Sequence, residues 1–564
     1  MTRNLQLPIG IESFKEVVNN FYYVDKTDFL SKLCNYSQRS ILLFTRPRRF
    51  GKSLTLSMID TFFNRKEENS KKYFENTKVF QDKRARSFRN AFPVIHLNRK
   101  DVAGDNFQEM LSRLRRQIKL AYRAFPEIED KHLLSKDDFL FVQNALNRKL
   151  NKEDITSSLV TLTRLIVKKH SIAPVVLIDE YDYPLQNAYD HGFFDEAVSF
   201  FKHFYGLALK GNNNLQFAIL TGVLQIAKES RFSGMNNVVV NSVLDTTFDE
   251  YFGFTDEEVD KLLSYFHLSK KKAEVKEWYD GYQFGNQAVY NPWSILNFVA
   301  NGGEIKGYWK RTGSNSYLRH LIENGTDDIR SVFLSLLNHE AVTEFLDFSR
   351  SYVSPKQDKK SILSLLVTSG YLTIEKNLSR GLYSLKIPNK EIQNVFIEEV
   401  FSLLPDQSSR TNRLLLRNAF RNGELNAIQD SLEHVFLSAF SYFDFSSEKN
   451  YQILLLALSC ALFGDAIIKS EVNEGTGRAD ISIASRKNEF GFIFEVKSYK
   501  GNVSLPRLKE YSQKALKQIR RNHYTSEREE RGIQKITAYG IAFAKNKIEL
   551  SKKQRNTENK EILS

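Results

Sequence analysis

Residues 40–53 read SILLFTRPRRFGKS, and this stretch indicates how the N-terminal part of the chain folds. Its apolar run, residues 41–44, predicts a buried strand, and Gly51-Lys52-Ser53 then opens an amphipathic helix. A strand, a loop and a helix in this order direct backbone N–H groups and the positive end of the helix dipole at an anion. Lys52 would reach the β- and γ-phosphates of a nucleotide and the Ser53 hydroxyl would bind Mg²⁺, so the stretch predicts a phosphate-binding loop.

The loop also departs from the usual phosphate-binding pattern. That pattern has glycine five positions before Gly51, whereas this chain has Arg46 followed by Pro47, which lacks an N–H donor. Because a Gly-Lys-Ser triplet after an apolar run also arises by chance, the loop alone leaves the prediction open. The nucleotide-binding residues predicted from the loop are Arg48, Arg49, Phe50, Gly51, Lys52, Ser53 and Leu54.

Two further apolar runs end in polar residues that suit a nucleotide site. Residues 174–178 lead into Asp179, a predicted Mg²⁺ ligand, and Glu180, which would polarise the attacking water. Residues 215–220 lead into Thr221, which is either a γ-phosphate sensor in the nucleotide site or a strand-capping hydroxyl. A solvated acidic turn would explain the carboxylates by themselves, but their order after the loop favours a triphosphate site. Since apolar strands alternate with helical segments, we predict an α/β fold with a mostly parallel sheet and helices on both faces.

Composition indicates a globular protein of several domains. The chain has 564 residues, of which 41% are hydrophobic and 26% are charged. Its net charge of +14 favours an anionic partner, although a basic protein without such a partner would look the same. Cys34 and Cys460 are too few and too far apart for a disulfide framework. The longest apolar run, residues 453–463, is too short to span a bilayer, so we expect a cytoplasmic protein with no membrane partner, and oligomerisation stays open.

Changes of pattern along the chain predict three structured regions and a tail. The α/β region is expected over residues 1–255, and helices with aromatic-rich turns are expected over residues 256–405. A linker at residues 405–409 precedes a third region over residues 410–545. Residues 546–564 are expected to form a charged, loosely ordered tail.

The third region contains two predicted strands, residues 477–483 and 491–497. Asp480 lies in the first strand, and Glu495 and Lys497 share one face of the second because alternate side chains of a strand point the same way. Two carboxylates can hold Mg²⁺ or Mn²⁺ against a scissile phosphate, and the lysine can position or deprotonate the attacking water. The same Glu-x-Lys pattern also occurs elsewhere in the chain, as at residues 274–276 and 304–306, so a salt-bridged hairpin is the alternative interpretation.

Two predicted helices flank these strands. Glu448 begins the first helix and is a candidate third metal ligand. The second helix, residues 507–521, carries Gln518 as a candidate catalytic residue among several lysines and arginines. This helix is either a cradle for a phosphodiester backbone or an ordinary solvated charged face.

Several motifs together resemble the AAA-ATPase-like family of uncharacterised proteins. They are RPRRFGKS at 46–53, DEYD at 179–182, TGV at 221–223, FSGMNN at 232–237 and WYDGYQFG at 278–285. The resemblance extends over roughly residues 5–300, and the Arg-Pro start of the loop is the usual form in that family. It implies a P-loop NTPase fold and ATP binding, and it leaves ATP turnover open.

A second resemblance concerns the C-terminal region and the PD-(D/E)XK nuclease superfamily. It rests on an ordered set of residues, Glu448, Asp480, Glu495, Lys497 and Gln518. It implies an α/β restriction-endonuclease-like domain that uses a divalent metal to act on nucleic acid, with DNA favoured over RNA. The family often has histidine where this chain has Gln452, which leaves the role of that position open.

Three functions are consistent with these patterns. The first is an ATP-regulated enzyme in which an N-terminal ATPase controls a C-terminal metal-dependent phosphodiesterase. The second is an ATP-dependent signalling switch whose nuclease-like domain only binds nucleic acid, and the third is an ATPase whose C-terminal domain only contacts proteins. Binding of duplex DNA that weakens with rising salt would exclude the third function.

Overall fold

The structure is a computed structural model, and it describes most of the chain. The described residues are 5–36, 39–130, 132, 134–225, 237–309, 327–337, 340–348, 358–402, 410–439, 448–463, 466–474, 477–499, 501, 503–521, 532–544 and 547–556. The chain divides into two compact units, unit 1 with residues 1–309 and 344–383 and unit 2 with residues 310–343 and 384–564. The predicted linker at 405–409 and all but the last residue of the motif at 232–237 lie outside the described residues.

Unit 1 is built on a five-stranded parallel sheet. Its strands are β1 (Ile41–Thr45), β2 (Val94–Asn98), β3 (Val175–Asp179), β4 (Phe217–Gly222) and β5 (Val238–Asn241). They lie side by side in the order β2-β3-β4-β1-β5. Every residue of β1 and β3 is buried, as expected for central strands of a parallel sheet. The parallel sheet predicted from the alternating pattern is therefore confirmed.

Helices connect these strands and continue beyond them. In chain order they are α1 (Phe14–Asn20), α2 (Asp28–Leu33), α3 (Lys52–Phe63), α4 (Lys71–Phe74), α5 (Lys83–Ser87), α6 (Phe107–Arg123), α7 (Lys136–Leu146), α8 (Lys152–His170), α9 (Tyr183–Asp190), α10 (Phe194–Leu209), α11 (Asp256–Tyr265), α12 (Lys272–Tyr279) and α13 (Pro292–Ala300). Capping boxes at Asn151 and Thr255 mark where α8 and α11 begin. Between α12 and α13, β6 (Tyr282–Phe284) and β7 (Gln287–Val289) form an antiparallel hairpin.

The segment after α13 contains α14 (Asp327–Leu337), β8 (Val342–Phe345), α15 (Lys359–Ser369), β9 (Thr373–Ser379) and β10 (Leu382–Lys386). The three strands form a small sheet in the order β8-β10-β9.

Unit 2 has a five-stranded mixed sheet with helices against it. After α16 (Lys390–Ser402), α17 (Arg410–Asn422), α18 (Leu425–Ala439) and α19 (Glu448–Leu462) come β11 (Ile467–Glu474), β12 (Gly477–Ala484), β13 (Gly491–Tyr499), α20 (Leu505–Arg521), β14 (Lys535–Ala544) and β15 (Lys547–Asn556). The strands lie in this numerical order, and only β13 and β14 pair in parallel. The parallel pair requires a crossover connection, and α20 is that connection.

Alternate side chains of β13 pack against helices on opposite faces of this sheet. Phe492 and Phe494 pack with the ring of Phe420 from α17, whereas Ile493 clusters with Ile519 of α20. Gly540 of β14 allows α20 to approach closely, because a Cβ there would lie 2.2 Å from a backbone oxygen of the helix.

The prediction of a loosely ordered tail over residues 546–564 is wrong for its first half. Residues Lys547–Asn556 form β15, which pairs antiparallel with β14 over the whole length of both strands. The apolar strand β14 supplies a complete hydrogen-bonding edge, so a charged segment folds onto it although only Ile548 and Leu550 are buried there. In the described part of the chain, no helix combines the length and apolar character that crossing a membrane requires.

Candidate functional sites

In the loop between β1 and α3, the Lys52 side chain hydrogen-bonds to carbonyl groups of the loop itself. Gly51 has a φ of 78° and precedes the first residue of α3, Lys52. The Lys52 ammonium is buried and donates to the carbonyl oxygens of Arg46 at 2.9 Å and Pro47 at 2.8 Å. Burial lowers the pKa of Lys52 to about 8, against the opposing attraction of Glu180 and other nearby carboxylates. Within the described part of the chain, no carboxylate forms an ion pair with Lys52, so a phosphate oxygen could replace these carbonyls as its partner.

Arg46, which stands where the usual pattern has glycine, is a buried anchor of the loop. Its side chain is 0% exposed, and its guanidinium donates to the carbonyl oxygens of Thr45, Asn241 and Phe248 at 2.9, 2.7 and 3.2 Å. The rings of two phenylalanines, Phe252 and Phe284, lie 5.0 and 5.3 Å from the guanidinium. The residue that replaces the usual glycine thus anchors the loop through buried hydrogen bonds.

The side chain of Phe50 also lies in the core, so a nucleotide could contact this residue only through its backbone. Its ring is 1% exposed and packs 5.0 Å from the rings of Tyr282 and Phe284. An apolar ring at this point of the loop secures it to the β6–β7 hairpin, so the side chain is turned away from any ligand in the loop.

The two remaining arginines of the loop reach different neighbours. Arg48 donates to the side-chain oxygen of Gln186 on α9 at 3.1 Å. Arg49 has a φ of 68° and is exposed, and its guanidinium lies 4.2 Å from the ring of Trp293. Leu54, in the first turn of α3, is half-buried.

Asp179, at the end of β3, brings the predicted nucleotide-site residues together. It is 1% exposed, and one carboxylate oxygen accepts from the Ser53 hydroxyl at 2.6 Å. The other oxygen accepts from the Thr221 hydroxyl at the end of β4 and from the backbone N–H of Glu180 at 3.0 Å. A hydroxyl and a carboxylate in contact are the donor set with which a phosphate-binding loop holds Mg²⁺.

Glu180 follows Asp179 in a left-handed backbone conformation, with a φ of 49°. Burial raises the pKa of Glu180; Lys52 opposes this rise, and Asp179 and Asp182 add to it. A carboxylate with a raised pKa beside the predicted phosphate site suits the predicted role of polarising the attacking water.

Asp182 has no predicted role in the sequence pattern, and its side chain holds the chain at the end of β4 by hydrogen bonds. Its carboxylate is buried and accepts from the backbone N–H groups of Val223 at 2.9 Å and Leu224 at 2.8 Å. Gly222 makes this approach feasible, since a Cβ there would lie 2.5 Å from an Asp182 oxygen. Asp182 therefore ties the turn after β3 to the chain that follows Thr221.

In unit 2, Asp480 is held where β12 and β13 meet. These strands pair antiparallel with Ile481 opposite Phe494. One Asp480 oxygen accepts from the backbone N–H of Val496 at 2.6 Å, and the other accepts from the Gln452 amide at 2.9 Å. Gln452, the position whose role the sequence left open, orients the carboxylate from the first turns of α19.

Glu495 and Lys497 form an ion pair on one face of β13. Glu495 is 1% exposed, and one of its oxygens accepts from the Lys497 ammonium at 2.9 Å. The other oxygen is buried and has no hydrogen-bond partner among the residues that the structure describes. The Lys497 ammonium lies 4.0 Å from Glu448, whose second oxygen accepts from the backbone N–H of Ser498 at 3.1 Å. The predicted residues Glu448, Glu495 and Lys497 are thus brought together.

Two family models match the chain. One describes a predicted AAA-ATPase and covers residues 8–232, and the other describes the PD-(D/E)XK nuclease superfamily and covers residues 446–553. The chain therefore carries an AAA-ATPase-like domain and a PD-(D/E)XK nuclease superfamily domain.

Similar proteins add little about function. An uncharacterized protein from the vnfD 5′ region of Azotobacter chroococcum mcd 1 is 27% identical over 433 residues, covering 74% of this chain and 75% of that protein. Among solved structures, the chain is similar to the Aeropyrum pernix ORC2 protein in ADPNP and ADP complexes. That likeness has a TM-score of 0.24 and 11% identity over 71% of this chain and 96% of the other, which is too weak to support a conclusion.

The carboxylates of the PD-(D/E)XK domain fit a divalent cation. Burial raises the pKa of Asp480, and the neighbouring Glu495 raises it further. Burial also raises the pKa of Glu495, although Lys497 opposes the shift. Glu495 is buried and Asp480 is half-buried, so two neighbouring carboxylates that resist ionisation would be stabilised by a bound cation.

Asp480 and Glu495 would fill only part of the coordination shell of a metal ion. Among the residues that the structure describes, no three His, Cys, Asp or Glu side chains are grouped closely enough to form a metal site by themselves. Asp480 and Glu495 can supply two ligands, and Mg²⁺ commonly takes its other ligands from water and substrate phosphate.

Gln518 lies on α20 of the PD-(D/E)XK domain and is half-buried. The buried side chains of this helix are Leu508, Ser512, Ala515 and Ile519. Its lysines and arginines are exposed, so the helix presents its basic side to solvent.

Proposed function

We propose that the chain is an ATP-regulated nuclease. ATP would bind in unit 1 and control metal-dependent cleavage of nucleic acid in unit 2, with DNA favoured over RNA. The single observation that carries the proposal is the Glu495 carboxylate, buried beside Asp480 with one oxygen unpartnered. Burying such a group destabilises a fold, so the arrangement is explained by a ligand that the carboxylates receive.

Each residue of the proposed catalytic site has a distinct task. Asp480 and Glu495 would hold Mg²⁺ or Mn²⁺, which would polarise the scissile phosphate and lower the pKa of bound water. Lys497, kept charged by Glu495, would orient the attacking water and offset the charge that develops on the phosphate. Glu448 would restrain Lys497, and Gln452 would restrain Asp480.

The proposed ATP site uses the contacts around Asp179. Ser53 and Asp179 would hold Mg²⁺, Thr221 would sense the γ-phosphate, and Glu180 would orient water. A bound phosphate would compete with the carbonyls of Arg46 and Pro47 for Lys52, so binding would rearrange the loop.

The test is a cleavage assay on plasmid, linear duplex, single-stranded DNA and RNA, with Mg²⁺ or Mn²⁺ and with or without ATP. Wild type should cut at least one of these substrates. Asp480→Ala should lose cleavage and keep ATP binding, whereas Lys52→Ala should lose ATP binding and the effect of ATP on cleavage. Glu274→Gln is the matched control, because Glu274 belongs to an identical Glu-x-Lys triplet on the exposed surface of α12. Failure of wild type to cut any substrate under all conditions would refute the proposed nuclease activity.

A second candidate is an ATP-dependent switch that binds nucleic acid without cutting it. The contacts of Lys52 with its own loop favour it, since ATP occupancy alone would change them. Measuring binding as well as cleavage of the same substrates separates the two functions. ATP-dependent binding of nucleic acid that is equal in wild type and Asp480→Ala, without cleavage, would support the switch.

A further inference from the structure

The face of β13 that carries Glu495 and Lys497 continues to a third side chain, Tyr499. Alternate residues of a strand point to one side, so these three follow one another along the same face. The Tyr499 ring lies parallel to the ring of Tyr511 on α20, with centroids 3.7 Å apart and an interplanar angle of 14°. An aromatic stack therefore lies one pleat beyond the lysine of the proposed catalytic site.

The Tyr499–Tyr511 stack contacts both an apolar cluster and two charged side chains. It packs against a small core of Leu508, Ala542 and Ala544. The Arg507 side chain donates to the Tyr511 hydroxyl at 3.0 Å, and the Lys514 ammonium lies 5.2 Å from the centre of the Tyr511 ring. Both tyrosines are half-buried, so part of the surface of the stack remains accessible.

The helix that carries Tyr511 is basic over its exposed side. Its exposed cations are Arg507, Lys509, Lys514, Lys517, Arg520 and Arg521. Glu510 is the one acidic residue of α20 and pairs with Lys514 at 2.9 Å. Exposed ion pairs of this kind are weak, so Lys514 can exchange Glu510 for a phosphate.

We propose that the Tyr499–Tyr511 stack receives an unpaired nucleobase next to the phosphate that is cut, while Arg507 and Lys514 hold adjoining phosphates. The inference rests on the proposed nuclease function and narrows its substrate to nucleic acid with a single-stranded segment. Bases within a duplex stack on one another, and an aromatic side chain reaches a base face only where the strand is unpaired. Stacking with flanking cations is the usual means of holding single strands without sequence preference.

The first test is binding of fluorescent oligonucleotides without divalent metal, so that no cleavage intervenes. Tyr511→Leu and Tyr499→Leu should weaken binding of single-stranded DNA by about 5- to 150-fold and leave duplex binding unchanged within about twofold. Tyr511→Phe keeps the ring and should bind like wild type within about twofold. Lys514→Gln should weaken both substrates and reduce the salt dependence by about one phosphate contact. Tyr265→Leu, at an exposed tyrosine of unit 1, is the matched control.

The second test needs no substitution in the protein. A single strand containing 5-iodouracil should crosslink under ultraviolet light to Tyr499 or Tyr511 of wild type, and peptide mapping identifies the residue. Equal loss of single-strand and duplex binding in the leucine variants, or crosslinks only elsewhere in the chain, would overturn the stacking site and leave the nuclease proposal standing. Absence of binding to any nucleic acid by wild type would overturn both.

Discussion

The close contact between Gly540 and α20 yields a quantitative prediction for Gly540→Ala. A Cβ at this position would lie 2.2 Å from the Ser512 carbonyl oxygen and 2.5 Å from the Leu516 backbone nitrogen. Ordinary van der Waals contact begins at 3.4 Å, and both atoms belong to the backbone of the helix. Because no flexible side chain can yield, the whole helix would have to retreat by about 1 Å.

The cost should lie near the upper end of the range for overpacking, about 3 kcal/mol. The helix is bound to the sheet by Leu508, Ala515 and Ile519, whose packing a retreat would loosen. For a unit of this size, a loss of about 3 kcal/mol corresponds to a fall in Tm of about 6–12 °C. Because Gly540 lies opposite Glu495 in the parallel register, the displacement would also reach the proposed catalytic site.

Differential scanning calorimetry measures this effect, and ATP identifies the transition of unit 1 by raising its temperature. Only the transition of unit 2 should shift in Gly540→Ala. Gly307→Ala is the matched control, since a Cβ at Gly307 meets no atom within 4 Å. A unit 2 transition within about 1 °C of wild type would show that α20 does not lie this close to β14.

Three further predictions concern single residues. Lys52→Ala should weaken ATP binding at least about tenfold in isothermal titration calorimetry, and unchanged affinity would exclude Lys52 as a phosphate contact. Gln452→Leu should slow single-turnover cleavage by about 10- to 100-fold because Asp480 loses its amide donor, whereas an unchanged rate would reduce Gln452 to a packing residue. Arg46→Met should destabilise unit 1 by at least about 2 kcal/mol in urea unfolding, since three buried carbonyls lose their donor. A smaller loss would mean that water or another side chain replaces the guanidinium.

The local chemistry of the N-terminal region could be predicted from sequence because it depends on neighbours along the chain. The apolar run of β1, the glycine before Lys52 and the acidic pair after β3 each carry their own signal. Parallel strands then bring their carboxyl ends to one edge of a sheet, which is why Ser53 and Asp179 meet as expected.

Other features could not be predicted, since they depend on residues far apart in sequence. The strand order, with β4 between β1 and β3, follows from pairings that no local pattern encodes. Arg46 stands out in the sequence only as a departure from the usual glycine, yet carbonyls of Asn241 and Phe248 make it a buried anchor. The charged strand β15 carries a weak apolar signal, and its fold depends on pairing with β14 beside it.

The proposed catalytic site in unit 2 likewise has features that the sequence predicts and features that only the fold decides. Glu495 and Lys497 share a face because a strand alternates its side chains, so sequence alone was sufficient for this pair. The contact of Gln452 with Asp480 and the stack of Tyr499 on Tyr511 join helices to strands and exist only in the folded chain. Local sequence specifies which groups are available for chemistry, whereas packing specifies which of them are held still, buried and deprived of water.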